Sequence, residues 1–347
     1  MMKDIANEFG IEGNVKEITS IGGGLINSTF LVRTEADFPD YILQKKNSSI
    51  FKDVPRMMDN IVKVTNHIRK KVEEDDGNPA REVMTVINAH DGKPFHKTDD
   101  GDYWTMSLYI PDTVTYNKAD SLDLAYKGGE GIGKFQTQLS DFTEPLFPTI
   151  PGFHDMKFRF SQWDETVAND RAGRVKDLRR EIEWIEARRD KIMSFWKMVE
   201  DGTLPLRVTH NDTKLSNILF DMNNNVLCVI DLDTVMSNTL LADYGDAIRT
   251  FANTGKEDDR NLDNVGINLD IYNAYTKGYL SYASRFMNEA EKELLRMGPQ
   301  YITYEQIMRF LMDYIDGDVY YKTDYKEHNL VRTRAQQKLL EDMERNI

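Results

Sequence analysis

A second cysteine is missing from this 347-residue chain, so no internal disulfide framework exists to hold it together. The one thiol, Cys228, falls inside the apolar run 226–230, where a buried, inert sulfur is expected rather than a nucleophile. Long hydrophobic stretches are missing as well. No apolar run approaches the roughly 18 residues that a membrane span needs, and the start, MMKDIANEFG, has no basic leader followed by an apolar segment. A cytoplasmic protein with no membrane partner is expected. Positive charge is in deficit, with 44 Lys and Arg against 58 Asp and Glu, a net charge of -14 and a pI near 5.0. That balance argues against a nucleic-acid partner, which would call for clustered Lys and Arg. The stretch RVKDLRREIEWIEARRDK, residues 174–191, mixes both signs at helical spacing and reads as a solvated helix face. Internal repeats and low-complexity tracts are also absent.

What is present is enough apolar material, 40% of residues, for about two domains of roughly 100 to 200 residues each. The first hundred residues read mostly as strands: VKEITSI, STFLVRT, YILQKK, EVMTVI and DYWTMSLYI, separated by Gly, Asp and Asn clusters. One helix interrupts them over 54–72, where Met57, Ile61, Val64 and Ile68 recur at spacings of three and four. After IPDTV, residues 110–114, the pattern turns helical over 121–140, 172–201, 239–253, 266–285, 289–315 and 328–345. The expected architecture is α+β and bilobal. A lobe with a small antiparallel sheet covers 1–107, a connector covers 108–114, and a larger, mostly helical lobe covers 115–347. A cleft between such lobes is the default ligand site.

The chemistry concentrates in VTHNDTKLSNILF, residues 208–220. Asp212 can accept a proton, Lys214 can face a phosphate, and Asn217 can offer an oxygen to a hard cation. A second carboxylate follows at Asp231, at the end of the β-branched run Val226–Ile230, for which SNILF would be the hairpin partner. His210 alone would more often be a structural histidine. Together, His210, Asp212, Asn217 and a strand-borne Asp231 match the order of catalytic loop and metal aspartate in protein kinases, with Asp231-Leu232-Asp233 where a kinase has Asp-Phe-Gly. Earlier, IGGGLINSTF at 21–30 sets three glycines between two β-type runs, where backbone N–H groups can approach phosphates or simply make a hairpin turn. In YILQKK, period-two alternation puts Gln44 and Lys46 on one face and Lys45 on the other. The sequence leaves open which lysine faces a phosphate, and Lys45 is favoured.

THNDTKLSNILFD, VIDLDTV and ADYGDAIRT together resemble the aminoglycoside phosphotransferase and choline kinase superfamily, which has a protein-kinase-like fold. GGLINSTF, YILQKKN, PDTVTYN, PTIPGFHD and RFLMDYIDGDVYYK are similar to the N-acetylhexosamine 1-kinases over nearly the whole chain. The resemblance implies Asp212 as catalytic base with Lys214 beside it, and Asn217 and Asp231 as ligands of Mg²⁺. It leaves Asp233 between binding metal and ordering its loop, because superfamily members often carry glutamate there. ATP would lie under Gly23 and Gly24, near Asn27, Thr29, Gln44 and Lys45, with adenine against Leu108 and Ile110. The implied reaction is phosphorylation of the anomeric hydroxyl of an amino sugar.

For the acceptor, Arg309, Asp313 and Asp316 share one helix face, and Gly317 with Tyr320 and Tyr321 follow. Arg309 either pairs with Asp313 or reaches a sugar, with the adjacent Tyr320 and Tyr321 stacking on the ring or packing against an acetyl methyl. His154, on the Pro- and Gly-rich loop 148–155, is a candidate for sugar recognition or for structural duty. Asp243, Asp246 and Arg249 are expected to buttress the catalytic loop. A choline or aminoglycoside acceptor, and a nucleotide-binding pseudokinase, stay open as alternatives.

Overall fold

The computed structural model describes residues 2–21 and 26–347. Its elements are α1 (Met2–Ala6), β1 (Glu17–Ser20), β2 (Ser28–Arg33), β3 (Tyr41–Lys45), α2 (Val54–Glu74), α3 (Pro79–Glu82), β4 (Val86–Ile87), β5 (His96–Lys97), β6 (Tyr103–Leu108), β7 (Thr113–Val114), α4 (Leu122–Gln138), α5 (Met156–Asn169), α6 (Arg179–Glu186), α7 (Arg189–Glu200), β8 (Leu206–Thr209), β9 (Ile218–Asp221), β10 (Val226–Val229), β11 (Met236–Thr239), α8 (Leu240–Phe251), α9 (Leu269–Ala283), α10 (Glu289–Glu293), α11 (Met297–Asp316) and α12 (His328–Asn346). The fold is α+β and divides into two compact units. One comprises Met1–Thr115, Gln138–Pro151 and Asn217–Met236, and the other comprises Tyr116–Thr137, Gly152–Ser216 and Ser237–Ile347.

In the first unit, an antiparallel sheet runs in the order β1-β2-β3-β6-β4, with β5 also on β6. Alternation sends Val32, Tyr41, Leu43, Trp104 and Met106 inward, where they pack with Ile5, Ala6 and Phe9. Helix α2 starts where the Asp53 carboxylate accepts from the N–H of Arg56 at 3.1 Å, with Pro55 in its first turn. On its inner face the buried Asn60 donates to the carbonyls of Phe147 (2.7 Å) and Val235 (3.0 Å) and accepts from the Phe147 N–H (2.9 Å). One side chain thereby ties two distant chain segments into this unit. A second sheet, β10-β9-β7, contains the hairpin expected from SNILF and the run ending at Ile230.

In the second unit helices pack closely where glycine allows it. A side chain on Gly129 of α4 would collide with the carbonyl of Tyr275, and one on Gly278 of α9 with that of Tyr126, so the two helices meet backbone to backbone. Helix α11 is buried along nearly its whole length. The continuous helix expected over 172–201 is divided into a 3₁₀ turn, α6 and α7, the one expected over 289–315 into α10 and α11, and α5 was not expected at all. Among the described residues no helix is long and apolar enough to cross a membrane.

Candidate active site

The chain passes from the helical unit to the sheet unit between Ser216 and Asn217, so the expected site residues fall into two sets. In the helical unit, β8 delivers the buried His210 and Asn211, and the loop that follows is held through its backbone. Asp243, on α8, accepts from the N–H groups of His210 (2.8 Å) and Asn211 (2.7 Å) and from Gln136 Nε2 (2.9 Å). One turn on, Asp246 accepts from the Thr213 N–H (3.2 Å) and from Arg249 (2.9 Å), which also reaches Glu257 (2.7 Å). These three residues buttress the loop, as their sequence positions led us to expect. Burial pushes the Asp243 carboxyl up, against the pull of His210 and the N–H bonds it accepts. Burial acts the same way on Asp246, but Arg249 and Lys214 outweigh it and hold that carboxyl below the usual carboxylate range.

Asp212 and Lys214 are brought together, with Nζ 2.7 Å from Oδ1 and 3.0 Å from Oδ2. Burial disfavours the lysine's charge, yet the Asp212 carboxylate more than offsets this and raises the Lys214 pKa. The site therefore has a carboxylate and a fixed positive charge side by side.

In the sheet unit, the Asn217 carbonyl accepts from the Ile230 N–H at 2.9 Å, linking the end of the loop to the segment that leads into Asp231. Asp231 is exposed and sits in left-handed backbone (φ 61) at the start of the 3₁₀ turn Leu232–Thr234. Asp233 is buried and accepts from Asn27 Nδ2 (2.6 Å) and from Lys46 Nζ (2.7 and 2.9 Å). Lys46 also donates to Gln44 Oε1 (2.7 Å), and Gln44 Nε2 donates to Thr29 Oγ1 (3.2 Å). Asn27, Thr29, Gln44 and Asp233 thus form one connected network around a lysine. The lysine is not the one favoured from sequence. Lys46 is 4% exposed and on the Gln44 face, whereas Lys45 points the other way and pairs with Asp102 at 2.5 Å, its side chain 40% exposed. Gly23 and Gly24 lie outside the described residues. Leu108 closes β6, its N–H on the Thr85 carbonyl (2.9 Å), and the buried Ile110 follows two residues on. Among the described residues no group of three His, Cys, Asp or Glu side chains is placed to hold a metal ion.

The expected acceptor residues separate. Arg309 lies 5.5 Å from the Phe153 ring, 5.8 Å from Tyr320 and 5.6 Å from Tyr321, and donates to Gln306 (3.1 Å). The intrahelical pair with Asp313 does not form, because Asp313 accepts from the N–H groups of Val319 (2.9 Å), Tyr320 (2.7 Å) and Tyr321 (3.0 Å) and from Asn329 Nδ2 (2.8 Å). Asp313 thereby fixes the loop that presents Tyr320, 60% exposed, beside the arginine. His154 is not with them at a surface. It is buried against Glu305, so it is no open contact for a sugar. Tyr321, expected with Tyr320 as one of two adjacent rings that could meet a sugar, and Phe153, which the sequence did not single out, complete the aromatic surround of Arg309.

A profile of the phosphotransferase enzyme family (APH) matches residues 17–276. Among solved structures, a microcompartment-associated aminopropanol kinase is 16% identical, with a TM-score of 0.65 over 99% of this chain and 96% of that one. A spectinomycin phosphotransferase in complex with ADP and spectinomycin is 13% identical, with a TM-score of 0.59 over 99% of this chain and 97% of the other. A choline kinase from Cryptosporidium parvum is 15% identical, with a TM-score of 0.53 over 93% of this chain and 88% of its own. At these identities the likeness is one of fold.

Proposed function

Because the chain belongs to the phosphotransferase enzyme family (APH), we propose that it is an ATP-dependent kinase acting on the anomeric C1 hydroxyl of N-acetylglucosamine or N-acetylgalactosamine. The observation that carries the acceptor class is Arg309, a guanidinium framed by Phe153, Tyr320 and Tyr321. A charged donor beside aromatic faces suits a neutral ring with hydroxyls and an acetamido group. A cationic amino alcohol or aminoglycoside would meet like charge there.

In this reading Asp212 accepts the hydroxyl proton as the C1 oxygen bonds to the γ-phosphorus and the bond from phosphorus to ADP breaks. Lys214 offsets charge on the transferring group. Asn217 and Asp231 supply an amide and a carboxylate oxygen, the hard donors that magnesium accepts alongside phosphate oxygens. They would hold that ion, which when bound neutralises phosphate charge. Lys46, with Gln44, Asn27 and Thr29 around it, serves the nucleotide phosphates, and Leu108 and Ile110 serve the adenine. The Asp233 carboxylate, engaged by Lys46 and Asn27, orders this set.

Two variants probe the two proposed roles, metal and acceptor. Asp231→Ala is expected to abolish magnesium-dependent ATP binding with the fold intact, and unchanged affinity by calorimetry would contradict its role. Arg309→Ala removes a charged hydrogen bond of about 1.5 to 3 kcal/mol, so the KM for N-acetylglucosamine should rise about tenfold to hundredfold with little change for ATP. The identity of the product decides the reaction. Phosphorus NMR should show a phosphate coupled to the anomeric proton, while phosphate on C6, or choline phosphorylated in place of amino sugars, would overturn the proposal.

A further inference from the structure

His154 is a buried titratable group that the proposed chemistry does not use. It is 5% exposed and sits in left-handed backbone, φ 57. Its Nδ1 lies 2.5 Å from Glu305 Oε2, and its Nε2 lies 3.5 Å from the carbonyl oxygen of Asn211. Glu305 takes Arg159 on its other oxygen, from Nε at 3.1 Å and Nη2 at 2.9 Å. The Tyr301 hydroxyl donates to the His154 carbonyl, which fixes the loop from behind. Burial opposes charge on Glu305, but His154 and Arg159 hold its carboxyl well below the usual carboxylate range.

Both groups that face the imidazole are acceptors, a carboxylate and a carbonyl. A neutral ring has one N–H and can satisfy one of them, while the doubly protonated ring satisfies both. The carbonyl belongs to the peptide that joins Asn211 to Asp212. Asn211 is left-handed as well, φ 65, and its own N–H is taken by Asp243 at 2.7 Å. Asp243 therefore grips the peptide on one side of Asn211, and His154 faces the peptide on the other. Rotation of that second peptide plane would swing the Asp212 side chain. At 3.5 Å the contact is long, and hydrogen bonds around a catalytic centre commonly tighten only with substrates in place.

We propose that His154, braced by Glu305 and Arg159, is a positioning residue that aims Asp212 by donating from Nε2 to the Asn211 carbonyl. The proposal rests on the reading of Asp212 as the base. It accounts for a buried charge cluster that would be a poor way to gain stability alone, since apolar packing of similar volume often does as well.

Two substitutions separate aiming from bare support, because they differ in reach. His154→Gln carries its amide nitrogen about where Nε2 was and keeps the donor toward Asn211. His154→Asn carries it about where Nδ1 was, keeps the donor toward Glu305 and loses Asn211. Asparagine tolerates left-handed backbone better than glutamine, so a structural role makes His154→Asn the milder change. We expect the reverse in turnover. With N-acetylglucosamine and ATP, His154→Gln should stay within about fivefold of the parent kcat and His154→Asn should fall about 30- to 100-fold, the scale of a misplaced catalytic group. The KM for ATP should hold in both.

Hydrogen exchange of the amides at 211–216 should quicken in His154→Asn and not in His154→Gln. Glu305→Gln, which leaves the ring but removes its counter-charge, should quicken the same amides, so a poorly folding His154 variant still leaves a test. Equal kcat and exchange in the two His154 variants, or His154→Asn as the milder, would overturn the proposal. Asp212→Asn serves as the control. Should it retain turnover, or should the parent ignore N-acetylglucosamine, the base or acceptor assignment fails while the exchange comparison still decides the clamp.

Discussion

Replacing Asp212 with asparagine is expected to lower kcat by about two to four orders of magnitude, the range for losing a general base, while ATP binding is kept. The substitution is nearly isosteric, and the loop around it is held by other groups. Asp243 retains the N–H groups of His210 and Asn211, and Asp246 retains that of Thr213. Lys214 loses its 2.7 Å partner but is 45% exposed, so water can take the carboxylate's place. What disappears is the proposed acceptor for the hydroxyl proton, and a hydroxyl that keeps its proton is a poor nucleophile. ADP release measured under saturating ATP and N-acetylglucosamine gives kcat, and calorimetry gives nucleotide affinity. Turnover within about threefold of the parent would remove Asp212 from the role, since a base contributes at least about a hundredfold.

How much of this was legible in the sequence depends on how local the deciding interactions are. The catalytic loop is a short stretch whose side chains follow one another, so Asp212 and Lys214 could be picked out and are found paired. Asp243 and Asp246 were legible as buttresses because carboxylates three apart on one helix face can serve a single loop. Helix α5 was hard to read because its faces are mixed: Met156, Phe160 and Trp163 are buried at helical spacing, but two neighbours break the pattern. Phe158 is 42% exposed, while Arg159 is buried against Glu305, a partner 146 positions away. The break within 172–201 has a similar origin. Neither Gly nor Pro interrupts at Ala187, and Arg188 is drawn instead onto the Trp184 ring (3.7 Å) and to Glu344 of α12 (2.8 Å). Lys46 was missed for the same reason as Arg159. Alternation put it beside Gln44, but only Asp233, 187 positions on, decides that a lysine just past a strand end is buried.

That buried pair makes Lys46 the position where a lysine substitution should be most damaging to the sheet unit. Lys46→Met leaves the Asp233 carboxylate, 4% exposed, with its charge uncompensated, and breaking a buried pair from one side costs about 3 to 5 kcal/mol. The same change one residue earlier should matter little. Lys45 and Asp102 have side chains 40% and 42% exposed, and pairs of that kind contribute about 0 to 1 kcal/mol. Urea unfolding of the two single variants should therefore separate them widely, with Lys46→Met the less stable. Adding Asp233→Leu to Lys46→Met removes the stranded charge, and stability should return most of the way, since apolar groups of similar volume often replace a buried pair at little loss. Magnesium-ATP binding should not return with it, because the cation proposed to meet the phosphates is gone. Equal losses from the two lysines, or a double variant no more stable than Lys46→Met, would show that the 2.7 Å pair does not carry the charge balance of this unit. Recovery of nucleotide affinity together with stability would instead leave Asp233's pairing intact as a structural device and take Lys46 out of the nucleotide site.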